Sequence, residues 1–228
     1  MSPQIFNAML QPETIQFLTR LKRNNNKPWF DAHKNEYLAA KEDFEELVKQ
    51  VITEFSKTDP DIGNLQYKNC IFRIYRDVRF RKDKTPYKTH LAARFARGGK
   101  EVHFPCYYMH IEPGGLSAFG GGIWRPANEE LKMVRQEIDY NLKEFEAILH
   151  DRKFKKLFGQ LEQDDKLSRA PQGYEDNDPA IEYLKLKSFF VEADIEDDIL
   201  TSKQLIKKIT STFGTAKPLI DFLGRSLD

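Results

Sequence analysis

The apolar pattern of this chain changes period twice, and that double change limits its fold more than any other feature. Up to residue 57 apolar residues recur every three or four positions. Ile15, Leu18 and Leu21 form one run, and Phe44, Leu47, Val48, Val51 and Phe55 form another. Such spacing gathers them on one stripe of a helix and leaves Glu42, Glu45, Glu46 and Lys49 in water. Pro12 suits the first turn of the first helix. Asn24-Asn25-Asn26 ends it, because asparagine tolerates the left-handed conformation found just past a helix. A longer helix is predicted from about Phe30 to Phe55.

From Gln66 the period falls to two. In Ile71-Phe72-Arg73-Ile74-Tyr75, Phe72 and Ile74 share one face while Arg73 and Tyr75 share the other. The alternation predicts strands at residues 71–75, 89–95, 104–110 and 116–123. Glu112-Pro113-Gly114-Gly115 joins the last two, with proline then glycine at the centre of a type II turn. Links this short require antiparallel neighbours, since parallel ones need crossovers of about a dozen residues. After Trp124 the helical period returns through Leu131, Val134 and Ile138. Residues 187–193, with Phe189, Phe190 and Val191, read as a further strand, and a last helix runs through Ile206, Ile209 and Phe213 with a kink expected at Pro218.

The order helices, strands, helices implies one α+β domain over residues 1–228. Its central, mainly antiparallel sheet of four to five strands is flanked by helices at about 12–57 and 126–228, with most of the sheet inside 66–124. Hydrophobic residues make up 40% and aromatics 12%, enough for a sizeable core, which excludes a disordered tail or a fibrous repeat. No apolar run approaches the length of a membrane span. The first ten residues lack the basic start and apolar stretch of a secretory signal. Two cysteines, Cys70 and Cys106, do not make a disulfide framework, so a reducing cytoplasm is the expected compartment.

Charge is balanced overall, with 36 Lys and Arg against 35 Asp and Glu, but not locally. From Arg73 to Lys100 ten bases face only Asp77 and Asp83. Within 72–88, Phe72, Tyr75, Phe80 and Tyr87 interleave with Arg73, Arg76, Arg79, Arg81, Lys82, Lys84 and Lys88. Guanidinium forks match carboxylate and phosphate geometry, and rings beside them position a flat ligand. The segment therefore points to a pocket for an anionic, phosphate-bearing small molecule. Arg73, Arg76, Arg79 and Arg81 would supply charge, Lys84 and Lys88 would close the site, and Tyr87, Tyr107 or Trp124 would position the ligand. Two other readings stand beside it: a nucleic-acid-binding module on the same surface, and a structural region whose arginines are paired internally.

The same residues carry a resemblance. Asn24-Asn25 with Trp29-Phe30, then Phe72-Arg73-Ile74-Tyr75-Arg76-Asp77-Val78-Arg79-Phe80 and Lys82-Asp83-Lys84-Thr85-Pro86-Tyr87-Lys88, resemble a mostly bacterial family described only as a domain of unknown function, DUF2461. Tyr107-Tyr108, Gly121-Gly122 with Trp124 and Pro126, and Arg169-Ala170-Pro171 with Gly173-Tyr174 extend the resemblance over nearly the whole chain. It implies one domain and no particular reaction.

The remaining motifs narrow the chemistry. Phe119-Gly120-Gly121-Gly122 is followed by neither Gly-Lys-Ser/Thr nor a dinucleotide fingerprint, and its glycines suit close packing within a strand. His33, His90, His103, His110 and His150 form no His-Glu-x-x-His pair, and no Cys-x-x-Cys exists, so neither a metal nor a cofactor is expected. His90 or His110 bordering the basic loop would have an acid–base role open to it.

Overall fold

A computed structural model describes residues 9–80, 82–97 and 104–227. Arg81 and His103, singled out above, lie outside the described residues. The N-terminal helices are α1 (Pro12–Arg23), α2 (Lys27–Ala32) and α3 (Lys34–Phe55). Each begins where local chemistry permits. Pro12 opens α1 where its missing N–H costs nothing, and the Asn26 side chain accepts from the Trp29 N–H to cap α2 at 3.0 Å. A short α4 (Tyr67–Cys70) leads into the sheet region.

Four strands, β1 (Leu91–Phe95), β2 (Cys106–Ile111), β3 (Ser117–Ile123) and β4 (Phe189–Ile195), form one antiparallel sheet in the order β1-β2-β3-β4. The strand expected at 71–75 is not one. Ile71 bridges Ala93 and Tyr75 bridges Tyr87, so four steps on one side oppose six on the other. The two extra residues, near Lys88 and Thr89, break the ladder into two isolated bridges.

Between β3 and β4 come α5 (Asn128–Tyr140), α6 (Leu142–His150), α7 (Arg152–Phe158) and the short α8 (Ile181–Leu184). After β4 come the short α9 (Asp197–Leu200) and then α10 (Leu205–Arg225). Asp151 caps α7 by accepting from the Lys153 and Phe154 N–H groups. The last helix runs unbroken through Pro218. The kink expected at Pro218 therefore does not interrupt the helix, although proline removes one helical hydrogen bond there. No helix among the described residues is long and apolar enough to cross a membrane.

The sheet has one covered and one open face. Leu91, Ala93 and Phe95, Tyr107, Met109 and Ile111, and Phe119 and Ile195 point into a core shared with α1, α3 and the first half of α10. A second cluster joins Phe189 and Val191 to α5, α6, α7 and the end of α10. The long final helix thus spans both clusters and lies along β3.

The close packing of α10 and of β4 against β3 depends on three glycines. A Cβ on Gly121 would stand 2.7 Å from Ile220 Cδ1 of α10 and 2.8 Å from the Cys106 carbonyl oxygen. One on Gly120 would overlap the Val191 carbonyl and stand 2.7 Å from Glu192 Cα, and Gly122 adopts φ +131°, which side chains rarely tolerate. Gly120→Ala is expected to cost about 2–3 kcal/mol, because rigid backbone must move to admit the methyl group. Gly214→Ala, in open space on α10, should instead stabilise by about 0.5–1 kcal/mol. Urea midpoints of the two variants check both signs.

Candidate functional site

The open face carries Ala92 and Arg94 from β1, Cys106, Tyr108 and His110 from β2, Gly120 and Gly122 from β3, and Phe190 and Glu192 from β4, because side chains alternate across a strand. With two positions on β3 bare, the face sinks into a groove of about 450 Å³. Four rings wall it in an edge-to-face series. Phe72 and Tyr108 lie 6.4 Å apart, Tyr108 and Phe190 6.1 Å, and Phe190 and Trp124 5.9 Å. Such pairs contribute about 0.5–1.5 kcal/mol each beyond their burial, so the wall is stiff.

Trp124, at the rim, is 51% exposed yet held in place. Its neighbour Arg125 has φ 45°, an uncommon conformation for a side-chain-bearing residue. The Arg125 N–H donates to Ser188 Oγ at 3.0 Å, and its guanidinium lies 3.2 Å from Asp165 and 5.7 Å from the Trp124 ring centre. Backbone strain held by surrounding contacts is a feature of binding sites.

Charges enter the groove from several sides. Arg94 donates to the Phe104 carbonyl and to the buried Cys106 thiol, which burial pushes up in pKa. Burial, with Glu192 next, pushes the Tyr108 phenol up to about 12. Burial also raises the Glu192 carboxyl, with Asp194 and Glu162 adding to the rise and His110 opposing it. Glu162 accepts from the Asp164 N–H at 2.8 Å. His110 Nε2 lies 2.6 Å from the Leu116 carbonyl oxygen.

The Phe72 end is bordered by cations. Lys88 Nζ stands 5.1 Å over the Phe72 ring. Its amine is half-buried, and burial, then the nearby Arg73 guanidinium, push its pKa down. Neither Lys88 nor Arg73 has a carboxylate partner among the described residues. Beyond this ridge lies a shallower groove of about 560 Å³, lined by Lys22, Arg76, Tyr87, Lys88, His90 and Glu112 among others. There charges are matched, Lys22 with Glu112 at 3.1 Å and Arg76 with Asp83 at 2.6 Å.

The residues expected from sequence to bind a ligand are therefore dispersed. Trp124 lines the aromatic groove, Lys88 lies over the Phe72 ring and lines the second groove, and Arg73 lies near Lys88. Arg76 is held by Asp83 and Thr85, and Arg79 forks onto Asp77 at 3.0 and 2.7 Å. Lys84 donates to the Val78 and Arg79 carbonyls. Tyr87 is buried and stacked on Phe30 at 3.9 Å, its backbone clasped at both ends by the Asn25 side chain. Tyr107 faces the covered side, where its hydroxyl donates to Asp59 at 2.5 Å. The sequence reading did not single out Arg94, Tyr108, Phe190 or Glu192 as ligand contacts. Their period-two alternation with core residues was the available signal. Among the described residues no group of three or more His, Cys, Asp or Glu side chains is placed to hold a metal ion.

A sheet with helices on one side and an aromatic groove on the other defines an α+β protein with one open sheet face. The chain belongs to the family of conserved hypothetical proteins DUF2461, whose profile matches residues 13–222, from the first turn of α1 into the last turns of α10. A search of curated proteins and a search of solved structures found no match.

His90 gives the region a pH signature. Burial, then His110, pushes its pKa down to about 4, against the opposing pull of Glu112. An unfolded histidine takes up its proton near pH 6.5. Between pH 6.5 and 4 the unfolded state therefore binds more protons, and stability falls as pH drops through that window. His90→Gln should flatten the decline of the urea midpoint between pH 7 and pH 5. An unchanged slope would mean that His90 is not held neutral.

Proposed function

We propose that the open-face groove binds a small organic anion with a flat apolar part, and that a phosphate-bearing ring compound is a suitable class of ligand. The observation that carries this reading is the pair Lys88 and Arg73. Two neighbouring cations, one of them half-desolvated, have no carboxylate partner among the described residues and stand beside Phe72 at the end of the aromatic wall. Elsewhere in the basic segment Arg76 and Arg79 have carboxylate partners. Unpaired, partly desolvated charge is costly, and an anion at this end relieves the cost. Arg94 lies further along the same face, and the rings offer a ligand offset or edge-on contacts.

Phenyl phosphate is the simplest probe of this reading. At a hundredfold excess over its dissociation constant it should stabilise the fold by about 2.7 kcal/mol, seen as a rise in Tm. Lys88→Met should abolish the rise, Trp124→Ala should weaken it, and Arg79→Ala should leave it intact. A rise that survives both Lys88→Met and Trp124→Ala, or no rise at all, contradicts the reading.

A second reading has its own observation. Phe80 is 96% exposed at the tip of the braced loop, with the Arg79 guanidinium 5.9 Å from its ring centre. A single nucleic-acid strand stacks on rings presented in this way, with bases contributing charge. Oligonucleotide affinity should then fall by about 0.7 log units per log unit of salt for each phosphate contacted, and Phe80→Ala should reduce it. Binding indifferent to both salt and Phe80 would exclude the loop as a nucleic-acid contact.

A further inference from the structure

The pairing register places four residues in one row across the open face. Arg94 of β1 lies opposite Tyr108 of β2, Tyr108 opposite Gly120 of β3, and Gly120 opposite Glu192 of β4. Strands sit about 4.8 Å apart, so three spacings put the Arg94 and Glu192 backbones about 14 Å from one another. The row thus ends in a cation on one side and an anion on the other. Between them stand one phenol and one position with no side chain. Glu192 does not pair with Arg94, and its carboxyl group has no hydrogen bond or ion pair among the described residues. Beside it on β4 is Phe190, whose ring meets the edge of Trp124.

Resting on the reading above, we propose that Glu192 is a specificity-determining residue that receives a protonated amine. The ligand then carries its anionic group toward Lys88, Arg73 and Arg94 and an ammonium toward β4. An ammonium suits this end on two counts. It supplies the charge that Glu192 lacks, and the aromatic faces of Phe190 and Trp124 attract cations. Glu162 and Asp194 reinforce the same sign nearby, whereas His110, the basic group facing Glu192 from β2, opposes it. The groove lined by Tyr108, Phe190 and Glu192 gives the body of the ligand its place along the row.

Phenyl phosphate, tyramine and tyramine O-phosphate separate the two ends, since they carry the anion, the amine and both on the same ring. Binding measured by calorimetry should rank tyramine O-phosphate at least tenfold above phenyl phosphate in the wild type. Glu192→Gln should bring the two phosphates to equal affinity by removing the advantage of the amine, and Glu192→Asp should restore part of the preference. Burial already disfavours the Glu192 charge, so the glutamine variant should fold, which a melting curve confirms. Equal affinity of the two phosphates in the wild type, or a preference that survives Glu192→Gln, overturns the inference while leaving the anion reading in place. Failure of phenyl phosphate itself to bind overturns both.

Discussion

The close approach of β4 and α10 to the glycine run of β3 is the constraint on which the rest depends. On the covered side, Gly121 lets Ile220 of α10 reach the sheet, and α10 links the two hydrophobic clusters. On the open side, Gly120 and Gly122 leave β3 bare, so the rings of Tyr108 and Phe190 rise on either side of a trough. A side chain at either open-face position would push against β4 backbone and fill the floor at once. Core packing and groove shape therefore have one cause, which is unusual economy for a seven-residue strand.

Charge is organised on a similar principle of local closure. The loop that follows Tyr75 is dense in bases, yet most of them are occupied in holding it. Arg76 binds Asp83 and Thr85, Arg79 binds Asp77, and Lys84 binds two carbonyl oxygens. Backbone and side-chain donors from Thr85, with Arg76, lower the Asp83 carboxyl to about 2, so this bracing stays ionised at any physiological pH. Lys88, Arg73 and Glu192, by contrast, have no ion pair among the described residues. Glu192 lines the aromatic groove, and the two cations stand next to it, Lys88 over the Phe72 ring.

This contrast explains what was legible in the sequence. The 3.6-residue stripes of α1, α3, α5 and α10 and the alternation in β1 to β4 follow from burial of one face, so periodicity revealed the fold class, and β4 fell within two residues of its expected bounds. The segment 71–75 alternates just as well, but a two-residue insertion near Lys88 breaks its ladder, and insertions leave no mark on periodicity. Arg73, Lys88 and Trp124 were visible as candidates because of their type. Arg94, Tyr108 and Glu192 come together only through the register of three strand pairs, which no local pattern encodes. Tyr107 and Tyr87 look like ligand contacts by composition, and their burial against Asp59 and Phe30 depends on helices distant in sequence.

The central claim is that ligand recognition belongs to the open sheet face and not to the basic loop. Amide and side-chain NMR shifts recorded during a phenyl phosphate titration test it most directly. The account predicts saturable shifts at Phe72, Lys88, Tyr108, Phe190 and the Trp124 indole, with residues 77–84 unmoved. Saturable shifts centred on residues 77–84, with the Trp124 and Phe190 signals unmoved, would contradict it.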